Sequence, residues 1–341
     1  MANPIWLAPL AGITTETYRS LHAQLGAALV HTEMVSAAGL SRENGKTARM
    51  IGGRCGVPIV LQIFGPDADT MARGAECALA MGRFDAIEIN MACPMPKVAK
   101  KSGGASMLFF PDESCRTVAD LKRFGLPVWA KIRKTEPGRH PLSTVDFCAA
   151  LMDASADLII VHGRTPAQRY EGASDREAVT SLAVKFPGLI SASGDYYVPD
   201  DAKAYLDGGC VSVLAARGAM RDVFLIPKTL CALGFPANEK YLNMPVPDQI
   251  NLLAETGREA VRNEGERFAV IMVRKLLSGM LKGISGVSRL REDCAFQKDW
   301  ASLEKILTTF AEAGKKIPVS RSQSGLRPQP KINNALTSDI L

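Results

Sequence analysis

The chain has 341 residues, 47% hydrophobic and 22% charged, with a formal net charge of +6. This composition excludes disordered, collagen-like and low-complexity chains, and the length allows one large domain plus a small one, each with its own core. The eight cysteines form no CxxC pair, the N-terminus MANPIWLAPLAG lacks the flank and core of a signal peptide, and no stretch approaches about 18 uninterrupted apolar residues. The expectation is a reduced cytoplasmic protein, monomeric, without a disulfide scaffold, a metal or a membrane partner.

In chain order, short runs rich in Val, Ile, Leu and Ala occur at Ile5–Ala8, Ala28–Met34, Val57–Phe64, Ala86–Asn90, Val128–Ile132, Leu158–His162, Leu189–Ser193 and Val211–Ala215. Each is too short for a helix and reads as a strand buried on both faces. Helical periodicity fills gaps between them at Asp69–Met81, Thr144–Ala154 and Asp200–Asp207. Eight such strands alternating with helices over roughly 235 residues match a (β/α)8 TIM barrel, spanning residues 1–238. An open doubly wound sheet is disfavoured because no GxGxxG turn follows the first strand.

A Pro- and Asn-containing linker around Pro236–Pro247 changes the character of the chain. Asp248–Asn263, Arg267–Lys282 and Trp300–Ala313 then show helical periodicity with no strand-like run, predicting a small all-helical domain over 245–317. Residues 318–341, rich in Ser, Pro, Gln and Asn, are expected to be extended or disordered. Residues 245–341 hold 15 Lys+Arg against 11 Asp+Glu, and residues 1–244 hold 26 against 24. The excess suits a polyanion, but many proteins carry as much.

Polar residues gather where the strands end: Gln62, Asn90, Lys131 and Arg133, His162 and Arg164, Ser193, Arg217. Barrel active sites are built at those ends. The segment Ile87–Pro94 runs from a strand into a thiol, Cys93, followed by Lys97, Lys100, Lys101 and Gly103-Gly104. A free cysteine is most often a small buried hydrophobe. Its position before Pro94, on a loop, favours a functional thiol, and with a pKa near ~8.5 it suits a proton donor as well as a nucleophile. The lysines fit either a solvated loop or a phosphate contact.

These residues carry a resemblance. The ordered set Ala8–Thr14, Thr32–Ala37, Leu61–Gly65, Asn90–Pro94, Lys131–Arg133, His162–Thr165 with Tyr170–Gly172, Ser193–Asp195, Ala216–Ala219, Arg274-Lys275 and Lys282-Gly283 resembles the tRNA-dihydrouridine synthases. The resemblance implies FMN as cofactor, NADPH or NADH as reductant, tRNA as partner, and reduction of uridine with hydride to C6 and a proton from Cys93 to C5. It also implies a phosphate cradle of Ser193, Gly194, Asp195, Ala216 and Arg217, with Pro9 and Leu10 under the flavin. Lys131 and His162 would stand at its N1/C2 edge and Gln62 at its pyrimidine edge. Asn90 and Arg133 would orient the base, and Lys97, Lys100, Lys101, Arg267, Arg274, Lys275 and Lys282 would contact RNA. Ala92 and Ala216 stand where the family carries Gly, and Ser193 where it carries Asn.

By spacing alone, Arg267, Arg274, Ser278 and Lys282 share one helix face, with Phe268, Ile271, Met272 and Leu276 opposite for packing. Composition reads the first face as merely solvated; the resemblance turns it toward RNA. Two other readings compete: a flavin barrel acting on a small enone or quinone, and a non-catalytic RNA-binding barrel.

Overall fold

The computed structural model describes residues 1–42, 45, 47, 50–100, 102–281 and 287–314. Lys101, Lys282 and the stretch 318–341 lie outside them. Nine parallel strands form one sheet: β1 (Ile5–Leu7), β2 (Val30–His31), β3 (Val35–Ser36), β4 (Ile59–Phe64), β5 (Ala86–Met91), β6 (Val128–Arg133), β7 (Leu158–His162), β8 (Ile190–Ser193) and β9 (Val213–Ala215). Eight of them close a ring. β1 pairs β9 at Ile5↔Val213 and β2 at Leu7↔Val30, and β2 pairs β4 at Val30↔Ile59. The fold is the (β/α)8 barrel with helices after it.

The run Ala28–Met34 gives a shorter strand than its apolar content predicts. Beyond His31, the Thr32 hydroxyl accepts the Gln62 N–H (3.0 Å) and donates to the Glu33 carbonyl (2.8 Å), so a side chain replaces the backbone partner and the ladder stops. β3 resumes only against the end of β4, at Val35↔Ile63 and Ser36↔Phe64.

Alternation along the strands decides what fills the barrel. Trp6 of β1 and Trp129 of β6 stack with centroids 5.3 Å apart, packed among Val60, Ala86, Leu158, Ile160 and Leu214. Two residues further along the same faces stand Gln62, Glu88, Lys131 and His162, and two beyond those Asn90 and Arg133. The interior thus turns from apolar to polar toward the C-terminal strand ends.

Three of the outer helices start from side-chain caps: Asp67 accepts from Thr70 N (2.7 Å) ahead of Ala68–Met81, Ser143 from Asp146 N (3.1 Å) ahead of Thr144–Asp153, and Asp175 from Ala178 N (2.9 Å) ahead of Arg176–Lys185. Each cap contributes about 1 kcal/mol.

The described residues form two compact units: Met1–Asn243 with Ser278–Met280, and Met244–Leu277 with Leu281 and 287–314. In the second, helices Val246–Asn263 and Trp300–Gly314 pack together, and a Cβ at Gly257 would lie 1.9 Å from the Trp300 ring. Helix Val287–Ala295 has no counterpart among the elements predicted from periodicity. Among the described residues, no helix is long and apolar enough to cross a membrane, and no cluster of three or more His, Cys, Asp or Glu could hold a metal.

Candidate active site

Cys93 follows β5 on a loop held from both sides. Asn90 Oδ1 accepts the N–H groups of Ala92 (3.2 Å) and Cys93 (2.9 Å), and the Cys93 carbonyl accepts Ala105 N–H (2.9 Å). Gly104 has φ +62°, and a Cβ there would come 2.6 Å from the Cys93 carbonyl oxygen, so a side chain is excluded. Burial pushes the half-buried thiol's pKa up, against the Met95 amide, Arg133 and Lys131. The thiol therefore keeps its proton at neutral pH.

Lys131 is desolvated inside the barrel, which lowers its pKa to about 8; Glu88 counters that effect and Arg133 adds to it. His162 is pushed well below its ordinary pKa by burial and by Lys131, Arg133, Arg164 and Arg217. Its Nδ1 accepts Arg164 N–H at 3.1 Å, so the neutral ring carries its proton on Nε2 and is a donor there.

Arg133 is 2% exposed, and its Nε and Nη1 donate to the carbonyls of Ala92 (2.8 Å), Thr165 (3.0 Å) and Arg169 (2.7 Å). Two loops at the barrel mouth, those after β5 and β7, are tied to one guanidinium. Arg133 thus has a positioning task beyond the base contact that the sequence suggests.

After β8 and β9, Gly194 (φ +121°) leaves no room for a side chain: a Cβ would lie 2.4 Å from Ser174 Oγ. Ala216 has φ −121°, outside the left-handed region that would demand the family's glycine. Among the described residues, the N–H groups of Gly194, Arg217 and Gly218 have no hydrogen-bond partner. With the Arg217 guanidinium, these donors fit a phosphate.

The Asp195 side chain is engaged within the protein. Its carboxylate takes a bidentate pair from Arg164 (2.8 and 2.7 Å), the Ser174 N–H (2.8 Å) and Arg217 Nη2 (3.2 Å). Burial alone would raise its pKa, yet the Arg164 hydrogen bonds carry it below the usual range. Arg217 also lies over the rings of Tyr170 (4.8 Å) and Tyr197 (5.8 Å), which fix its plane. Arg164, Tyr197 and Ser174 were not foreseen as parts of this corner; only the Arg164 motif offered a signal.

Pro9 and Leu10 sit half-exposed on the loop after β1, whose Gly12 N–H donates to Glu33. Gln62 and Asn90 are joined, Asn90 Nδ2 donating to Gln62 Oε1 at 2.9 Å. Lys97 and Lys100 are exposed beside the thiol loop.

In the second unit Arg267 is exposed and Lys275 half-buried. Arg274 donates to the Gln297 carbonyl, and so already has a structural partner. Ile271, expected in the packing face, is 42% exposed, whereas Met272 and Leu276 are buried.

A protonated thiol, a buried cation, a neutral histidine donor and a set of anion-compatible donors stand at one mouth of a parallel barrel, where enzymes of this fold carry their active sites. The chain belongs to the dihydrouridine synthase family, whose sequence model matches residues 6–313. Enzymes of this family are oxidoreductases. Similar proteins include a "Probable tRNA-dihydrouridine synthase" of Treponema pallidum, 28% identical over 89% of this chain and 92% of that protein. Another of that description, from Mycobacterium tuberculosis, is 30% identical over 96% of this chain and 86% of its own length. "tRNA-dihydrouridine synthase B" of Pseudomonas aeruginosa is 29% identical over 85% and 87%.

Proposed function

We propose that this chain reduces uridines of tRNA to 5,6-dihydrouridine in the cytoplasm, with FMN at the barrel mouth and NADPH or NADH as reductant. The observation that carries the reading is the Cys93 loop, a protonated thiol pinned by Asn90 beside buried cations. The C5=C6 bond of uracil is conjugated with the C4 carbonyl, so C6 is electrophilic. Bound FMN, once reduced, supplies the hydride for C6.

The chain's own groups do the rest. Cys93 delivers its proton to C5. Lys131, mostly charged at neutral pH, and His162 through Nε2–H stabilise negative charge on the ring oxygens nearby. Asn90 keeps one N–H, and Arg133 its Nη2, to orient the base.

Ser193, Gly194, Ala216 and Arg217 hold the cofactor phosphate, Asp195 acts by holding Arg217, and Gln62, Pro9 and Leu10 border the flavin ring. The barrel, residues 1–238, is the catalytic domain, and residues 245–317 bind RNA through Arg267, Lys275 and Lys282, with Lys97, Lys100 and Lys101 as further phosphate contacts. The target base must leave its stack to reach the thiol. The purified protein should carry FMN and, given NADPH, form dihydrouridine in tRNA from a strain lacking this gene. Flavin-loaded protein that leaves such tRNA unchanged would sink the reading.

A further inference from the structure

One ionisable group inside the barrel has no part in the chemistry above. Glu88, on β5, is fully buried with His31 of β2. The His31 Nδ1 lies 2.7 Å from the Leu7 carbonyl, which fixes the ring, and its Nε2 approaches Glu88 Oε2 to 3.1 Å without a well-aligned hydrogen bond. The other oxygen, Oε1, accepts from Gln62 Nε2. Gln62 Oε1 accepts from Asn90 Nδ2 (2.9 Å), and Asn90 Oδ1 accepts from Cys93 N–H (2.9 Å).

The direction of this chain is set at its two ends. Backbone N–H groups at the top can only donate, and a carboxylate at the bottom can only accept. Between them each primary amide has one satisfying orientation, with nitrogen toward Glu88 and oxygen toward the thiol loop. An apolar residue at position 88 would leave Gln62 with a buried N–H and no acceptor, and the amide would be free to turn. We propose that Glu88 is a positioning residue, whose carboxylate anchors the chain Glu88–Gln62–Asn90–Cys93 and so fixes which amide atoms Gln62 and Asn90 present at the mouth. The inference rests on the reading above that Asn90 and Cys93 act on the uridine. Lys131 provides a second signature. The charged and titratable groups acting on it are Glu88, Arg133 and Cys93, and Glu88 alone among them is a carboxylate.

The test uses full-length, FMN-loaded protein with Glu88→Met, which removes the acceptor, and Glu88→Gln, which keeps an acceptor and removes the charge. Proton–nitrogen spectra recorded without RNA or nicotinamide should show the Gln62 side-chain amide and the Cys93 N–H displaced in Glu88→Met and near their wild-type positions in Glu88→Gln. Reoxidation of reduced flavin by tRNA at pH 6.5 should fall at least tenfold in Glu88→Met and stay within threefold of wild type in Glu88→Gln, whose alkaline limb moves to lower pH. If Glu88→Met does not fold, Glu88→Asp replaces it, since the shorter side chain withdraws the oxygen from Gln62. Unmoved Gln62 and Cys93 resonances in that variant, or equal rate losses in it and in Glu88→Gln, overturn the proposal. Wild-type protein that shows these resonances but leaves tRNA uridines intact instead refutes the function proposed above.

Discussion

Replacing Cys93 by alanine removes one sulfur and leaves the loop's backbone contacts intact, with Cys93 N–H on Asn90 Oδ1 and Ala105 N–H on the Cys93 carbonyl, both at 2.9 Å. The loop should therefore persist, and a change in rate reports on the thiol. Because burial raises the thiol's pKa, the acid form predominates through neutral pH and nearly every molecule holds the proton to be delivered. Loss of a positioned general acid slows its step by ~10²–10⁴, or about 3–5.5 kcal/mol on the barrier. A cysteine that only fills space would instead lose about 1 kcal/mol of stability on truncation and leave the rate alone. Stopped-flow absorbance separates these roles. Flavin reduction by NADPH should run at the wild-type rate, since no proton goes to the uracil in that half. Reoxidation by tRNA should drop by the full factor. Cys93→Ser should be similarly slow, because a hydroxyl is a far weaker acid than a thiol. Wild-type reoxidation in Cys93→Ala would mean that the proton comes from elsewhere and the thiol is packing.

The tRNA half-reaction should lose rate above pH about 8, where Lys131 gives up its proton, and a rate–pH profile flat to pH 9.5 would contradict that role. Stability should climb with pH between about 8 and the ordinary lysine value of ~10.4, because there only the unfolded chain keeps this proton. Arg217→Ala removes a charge-assisted phosphate contact worth ~1.5–3 kcal/mol, so FMN affinity measured by fluorescence quenching should fall roughly ten- to a hundredfold. Gly257→Ala drives a methyl into the Trp300 ring and should destabilise the helical unit by ~1–3 kcal/mol, visible as a lower Tm; an unchanged Tm would mean that the ring moves freely. Arg267→Ala should weaken tRNA binding and flatten its log Kd–log salt slope by about 0.9, whereas an unaltered slope would show no phosphate contact at this exposed residue.

Much of this was legible because a parallel barrel demands apolar runs, and eight were present to find. The thiol loop, Lys131 and His162 could also be found, because strand ends are where a barrel exposes polar groups. What escaped had physical reasons. Glu88 lies inside an apolar strand, and nothing local distinguishes a carboxylate anchoring a buried amide chain from one facing solvent. Asp195 appears beside a glycine like a ligand, but its partners Arg164 and Ser174 come from another loop. Ile271, expected on the packing face, stands four residues after Arg267 and three before Arg274, so by helical phase it belongs with the solvated positions and remains exposed. The break after His31 depends on a hydroxyl substituting for a carbonyl, which no propensity encodes.

The stacked indoles of Trp6 and Trp129 have a kinetic consequence. With Val60, Leu158, Ile160 and Leu214 around them, they stopper the barrel from below, so the polar layer is the floor of a blind well. A well with one opening has no back door through which a spent reactant can leave while the next arrives. On the proposed function, nicotinamide and nucleobase must then visit the same floor by turns, and double-reciprocal plots of rate against one substrate at fixed levels of the other should form parallel lines.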